Sequence, residues 1–270
     1  MSTLNDIAHV PPKAGISKTR LVGAALLILL GGFAIIGPLV IAADPAEQDF
    51  AASLAPIGDD YLLGADHYGR SLLARLAHGA RLSFGLAFLT MVAAAIPGVL
   101  LGLLAAWKER ALEFAATVVL ALPGLMLVLL FLAFSPGNYG PLFLGLSLTL
   151  WVEFYRVTKA TTRTILSQPH IEAAKMLGFG SRYILLNYVL PAIGPMIATL
   201  AAFAMATAII AVSTLSAISV GLQPPTPELG SLIVELMPYY TEAPLHVLLP
   251  AGLIFLLVLA LQLLAQGDRA

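Results

Sequence analysis

Few residues of this chain are placed to do chemistry by themselves. His67, His78, His170 and His246 lie on separate segments without the spacing of metal ligands. Met126, Met196, Met205 and Met237 are isolated, and the chain has no cysteine, which excludes disulfides and thiolate ligands. No Gly-x-x-x-x-Gly-Lys-[Ser/Thr] loop occurs, and His246 has no serine partner for nucleophilic attack. The expectation is therefore no catalytic residue, no bound cofactor and no metal on this chain. What remains are groups suited to contact. Glu172, Ala173, Ala174, Leu177 and Gly178 form a run whose small side chains admit a partner's backbone, with Glu172 and Lys175 flanking it. Asp66 and Arg70, each shortly after a glycine (Gly64 and Gly69), are four apart and suit a local ion pair. On an exposed helix such a pair is worth only about 0.2–0.5 kcal/mol. Ser213, Thr214 and Ser216 offer hydroxyls near the end of an apolar run, where they either line a polar passage or bond back to their own helix.

The elements that must position these groups belong to a bilayer. Apolar residues make up 59% of the chain and charged ones 11%, against roughly a quarter charged in soluble domains. Mean hydropathy is +0.93. Several windows free of Asp, Glu, Lys and Arg exceed the ~20 residues a crossing helix needs. The expected spans are about 21–43, 82–107, 114–134, 141–159, 190–215 and 244–265, six in all. The turn formers Ser135 to Gly140 separate the third from the fourth. The first run is longer than a signal-peptide core and lacks a small-x-small cleavage site, so it reads as a retained anchor.

Basic residues orient the chain. With the N-terminus inside, Lys13, Lys18, Arg20, Lys108, Arg110, Arg156, Lys159, Arg163, Lys175, Arg182 and Arg269 are cytoplasmic, and only Arg70, Arg75 and Arg81 fall outside. The resulting division is a cytoplasmic tail at 1–20, the first span at 21–43, an outer segment at 44–81, a five-helix core at 82–265 holding a cytoplasmic loop at 160–189, and a tail at 266–270. In the outer segment Leu72, Leu73, Leu76 and Ala77 make one apolar face, which reads as a short interfacial helix. Glu153 and Arg156 read as an anchored pair at a membrane edge. Gly85, Gly98 and Gly102 permit close helix approach on the second span. A net charge of −1 gives no reason to invoke nucleic acid.

Within the inner loop, Ser167 is a candidate N-cap, Pro169 fits the first helical turn, and Gly178 fits a left-handed stop. Ala173, Ala174 and Leu177 share a side of that helix. Ser181 starts a second helix running towards Pro191.

Four segments together carry a family resemblance. Glu172-Ala173-Ala174, Gly178, Ile184 and Leu190-Pro191 resemble the EAA loop of permease subunits from binding-protein-dependent ABC importers, with Tyr188 where that family often has His. Leu63 to Ser83 resembles the Leu-Gly-Thr-Asp-x-x-Gly-Arg-Asp…Gly-Ala-Arg-x-Ser-Leu run of the dipeptide, oligopeptide and nickel permeases of the C-type, with Ala65 for Thr and Ser71 for Asp. Trp151 to Lys159 resembles the end of the family's fourth span. Leu215 to Gly230 resembles its outer loop after the fifth, with Leu229 where Trp is common. The tail is shorter than the family's.

The resemblance implies an all-α integral membrane protein with the type I ABC importer permease fold of six transmembrane helices and a cytoplasmic EAA coupling helix. It places the chain in the bacterial inner membrane as a multi-pass subunit with both termini cytoplasmic. Its implied partners are a homologous B-type permease in a heterodimer, two ABC ATPase subunits that carry ATP and Mg, an extracytoplasmic substrate-binding protein, and membrane lipid. Glu172, Ala173, Ala174, Leu177 and Gly178 would couple to the ATPase. Small peptides are the cargo this implies. Nickel or a metal–metallophore (opine-type) complex is the alternative for the same machinery. An autonomous secondary transporter would need a buried ionisable pair or a broken helix at mid-span, and the sequence shows neither.

Overall fold

The computed structural model describes residues 17–58, 60–107, 111–135 and 137–266. Lys13, Lys108, Arg110 and Arg269 of the orientation argument, with most of both expected tails, lie outside them. Every named element among the described residues is a helix, and the outer connections are irregular backbone with one isolated bridge between Ala65 and Ser71.

Helix α1, Lys18–Val40, starts where the Ser17 hydroxyl accepts the Thr19 amide at 3.2 Å. Helix α2 is Leu72–Trp107, and α3, Ala111–Ala121, and α4, Gly124–Phe134, follow it. Helix α5, Tyr139–Leu166, leads into the short α6, Pro169–Met176. Helix α7, Ser181–Ile184, passes through a π turn at Leu185–Val189 into α8, Leu190–Ala217, without a break. The short α9, Leu229–Leu236, precedes α10, Pro244–Ala265.

The core is where α2 meets α5, α8 and α10. Leu76, Ala87 and Ala94 of α2, Phe154 of α5, Ala208 and Ile209 of α8, and Leu257 of α10 form one buried cluster. Small residues set the closest crossing. A Cβ on Gly98 would stand 2.6 Å from Phe154 Cβ, and one on Gly102 would stand 2.8 Å from Thr158 Cβ, so only glycine lets α2 lie on α5. Gly85, expected to share that role, has nothing within 4 Å.

Three expectations are corrected. The segment at 72–81 is not a separate interfacial helix but the first turns of α2. Its apolar face meets protein instead of headgroups: Leu72, Leu76, Ala77 and Ala80 are buried, and Gly79 lies against Leu229 and Leu232 of α9. The fifth span's helix does not begin at 190 but is continuous with the one expected from Ser181, because Pro191 sits in the first turn of α8 and the preceding π turn carries the helix across it. The third span is two helices of 11 residues each, parted at Leu122-Pro123. Among the described residues, four helical stretches are long and apolar enough to cross a membrane: Lys18–Val40, Leu72–Ala106, Ser181–Ala217 and Pro244–Ala265. The 28-residue α5 carries all its charged residues, Glu153, Arg156, Lys159 and Arg163, in its second half.

At 36 and 37 residues, α2 and the α7–α8 rod are about 54–56 Å long. A hydrocarbon core is about 30 Å thick. Each therefore overshoots the bilayer, α2 at its first end and the rod at Ser181.

Candidate functional site

The two overshooting ends each carry one of the predicted motifs, and they are called inner and outer after the orientation expected from the basic residues. At the inner end, α6 begins at Pro169 and is capped by Gln168, which has no side-chain hydrogen bond to the helix. The N-cap expected at Ser167 falls one residue too early. Pro169 drives the residue before it out of helical geometry, so the boundary is at Gln168. Ser167 instead closes α5, its hydroxyl donating to the Thr164 carbonyl at 3.0 Å.

Gly178 ends α6 as anticipated, with φ +88°. The Phe179 amide donates to Ala174 O at 3.1 Å and the Gly178 amide to Lys175 O at 3.0 Å, the paired bonds of a Schellman stop. Ring contacts brace the return. Phe179 stacks on Tyr183 at 4.6 Å, and Tyr188 lies 5.9 Å from His170 and 6.3 Å from Tyr183. Tyr188, the departure from the family's His, thus joins the two limbs of the loop.

The faces of α6 differ from the expected division. Ala174 is buried, while Glu172, Ala173 and Leu177 are exposed, so the three small or apolar residues do not share one environment. Ile171, not singled out in the sequence, is fully buried with Leu103 of α2, Ile165 of α5, Ile184, and Val189 and Ile193 around the start of α8. Its spacing of three from Ala174 was the available signal. On the other side Met176 is 87% and Leu177 78% exposed, and Phe179, Tyr183 and Leu186 extend this apolar surface. Exposed apolar residues gathered over 176–186 and preceded by Glu172 and Lys175 suit a docking face.

At the outer end, Gly64, Asp66, Gly69 and Arg70 converge on a buried charge cluster. Gly64 and Gly69 have φ of +83° and +73°. A Cβ on Gly69 would collide with the Asp49 carbonyl, so the turn admits no side chain there. The turn aims Asp66, whose Oδ1 accepts the Tyr68 and Arg70 amides at 2.8 and 3.0 Å. Its Oδ2 accepts Arg70 Nε at 2.6 Å and also Arg75 Nη1. Glu235 of α9 completes the cluster, with Oε2 accepting Arg70 Nη2 at 2.9 Å and Arg75 Nη1 at 2.8 Å.

The pair judged weak from sequence is therefore half of a neutral four-charge network. Asp66 and Arg75 are fully buried. Burial pushes the Asp66 carboxyl up, but the Arg70 amide and the Arg75 and Arg70 guanidiniums outweigh it and hold the carboxyl below its ordinary value. Ser71, where the family has Asp, places its hydroxyl 3.4 Å from the Ala74 amide at the start of α2. Glu235 lies 160 residues beyond Arg75, and no local spacing announced it.

Ser213 and Ser216 are buried and bonded within the chain. The Ser213 hydroxyl donates to Glu228 Oε1 at 3.0 Å, and Ser216 Oγ accepts the Leu222 amide at 3.2 Å. Thr214 faces outward. Glu228, also fully buried, takes a second hydroxyl from Ser83 of α2 at 3.0 Å and caps α9 through the Gly230 and Ser231 amides at 2.8 and 3.0 Å. This carboxylate fastens α2, α8 and α9 together. It stood in the quoted outer-loop string without a role. The expected Glu153–Arg156 pair is absent among the described ion pairs. The inner-end pair is Lys159 with Glu113, at 3.1 Å.

Residues 98–266 match the family described as binding-protein-dependent transport system inner membrane component. The chain is 33% identical over 265 residues to a di/tripeptide transport system permease protein of Pseudomonas aeruginosa, covering 94% of this chain and 87% of that protein. It is 26% identical over 264 residues to a dipeptide transport system permease protein of Haemophilus influenzae, covering 94% and 89%.

Proposed function

Since the chain belongs to the family of binding-protein-dependent transport system inner membrane components, as an ABC importer permease subunit with the type I fold, we propose that it forms half of a pathway for small peptides. The other half is a homologous B-type permease. Two ABC ATPases supply ATP, Mg and hydrolysis from the cytoplasm, and an extracytoplasmic binding protein delivers the peptide. Both termini are cytoplasmic. The peptide assignment rests on the names of the relatives. The subunit assignment within the machine rests on one observation: α6 offers Met176 and Leu177 outward while Ile171 and Ala174 anchor it to α2, α5 and α8.

The mechanism follows from that attachment. An ATPase surface takes the exposed cap through apolar contact and reads Glu172 and Lys175 at its border. When the ATPases close, α6 moves, and Ile171 carries the displacement into the α7–α8 rod. Substrate and ATP each favour one of two packings of the bundle. The test is peptide uptake in cells, with co-purification of the ATPases, for Leu177→Asp and Glu172→Lys. Both side chains are exposed, so insertion and stability stay within about 0.5 kcal/mol of wild type. Uptake is lost, with ATPase yield reduced at least for Leu177→Asp. Normal uptake by both variants would refute the docking role.

A further inference from the structure

We propose that the inner end of α5 carries a binding site for the phosphodiester of an anionic phospholipid, in the groove between α5 and α3. Arg156, Lys159 and Arg163 are spaced at i, i+3 and i+7, which sets three cations on one helix face. They line a cavity of about 310 Å³ with Tyr155 of α5 and Glu113 and Thr117 of α3.

Two groups in this groove are buried without a hydrogen-bond partner among the described residues. Lys159 is only 6% exposed, and although its Nζ lies 3.1 Å from Glu113 Oε1, no aligned hydrogen bond forms. The Tyr155 hydroxyl is likewise buried and unpartnered. A buried ammonium with three donors is costly when unmet. Glu113 is 60% exposed, so its charge is solvent-screened. An oxyanion in the groove supplies acceptors to Lys159 and Tyr155.

The source is lipid rather than free anion because the groove has an apolar margin. Phe114 is 75% and Val118 50% exposed on α3, each adjacent in sequence to a groove residue, where acyl chains would lie. Basic pockets between membrane helices at the cytoplasmic side hold anionic headgroups on this principle. This inference is independent of cargo and of ATPase docking.

The test uses the purified full-length chain with whatever subunits accompany it, delipidated in mild detergent and titrated with phosphatidylglycerol under native mass spectrometry. Phosphatidylcholine and inorganic phosphate run in parallel. Each cation is worth about a fivefold change, so Arg156→Gln weakens phosphatidylglycerol binding about fivefold and Arg156→Gln with Lys159→Gln about 25-fold. Lys159→Arg retains binding, and Arg81→Gln on α2, away from this groove, leaves it unchanged. Arg156 is exposed, so its single variant reads the site without disturbing the core. Equal phosphatidylglycerol binding by wild type and the double variant would overturn the proposal. So would phosphatidylcholine binding as tightly, or displacement of the lipid by millimolar phosphate.

Discussion

Asp66→Asn tests whether the outer charge cluster holds α9 to α2. Asp66 is fully buried and accepts four donors, two of them guanidinium groups. Asparagine keeps the shape but removes the charge and turns an amide towards Arg70 and Arg75. Breaking a buried pair from one side costs about 3–5 kcal/mol. Glu235 still accepts from both arginines, at 13% side-chain exposure, so the lower end applies, about 3 kcal/mol. For a chain of this size that is a fall in Tm of about 6–12 °C. Intrinsic-fluorescence melting in detergent reads it, with Glu47→Gln on the exposed outer segment as control. The pH dependence supplies a second reading. The folded Asp66 carboxyl lies below its ordinary value, so its contribution is full above about pH 4 and is lost as pH falls through the folded value. The gap between wild type and Asp66→Asn is therefore flat at neutral pH and closes in acid. A fall in Tm no larger than that of Glu47→Gln, or a gap that widens below pH 4, would refute the reasoning.

Two other outcomes are expected. A Cβ at Gly230 would collide with the Ser213 carbonyl where α9 crosses α8. Gly230→Ala then costs about 1–3 kcal/mol by overpacking, whereas Gly252→Ala, with nothing within 4 Å, is neutral or stabilising by up to about 1 kcal/mol; equal melting temperatures for the two would count against that crossing. The chain has no cysteine, so single introduced cysteines report topology cleanly. A membrane-impermeant thiol reagent labels residue 57 on intact cells and residue 5 only after permeabilisation, and the opposite pattern would invert the orientation.

What the sequence disclosed follows the range of the forces involved. Charge-free windows and the left-handed stop at Gly178 depend on the residues themselves, and both appear in the structure. Helix continuity depends on neighbours. Pro97-Gly98 and Pro123-Gly124 are the same dipeptide, yet α2 runs through the first and the helix breaks at the second. Gly98 is clasped against Phe154 and Trp151 of α5, whereas Gly124 has only Thr149 within 4 Å, at 3.6 Å. Packing across helices, invisible in a local window, decides the difference. The Gly64–Arg70 motif was legible as a motif but not as a clamp, because Glu235 is brought to it only by the fold. Leu72–Ala80 misled for a related reason: an apolar stripe has the same spacing whether it meets headgroups or α9.

The attachments of α8 also constrain how it can move. Its outer end is fixed twice, by Ser213 on Glu228 and by the Gly230 crossing, and Ser83 ties the same carboxylate to α2. Its inner end is held mainly by apolar packing, with Ile171, Leu103 and Ile165 clustered on Ile184, Val189 and Ile193. The departures from regular α-helix also gather at the inner end, with the π turn at Leu185–Val189, Pro191 and Pro195 all within about the first four turns above Ser181. Interrupted hydrogen-bond ladders are where helices bend. On the reading proposed above, a push on α6 therefore bends the rod between 185 and 195, while 196–217 travels with α9 and the outer half of α2 as one block. Such a block turns a small inner displacement into a tilt of the outer mouth, since the lever beyond the bend spans about 22 residues, or ~33 Å. A proline-free inner segment would remove the bend but leave the docking face intact, separating ATPase binding from transport.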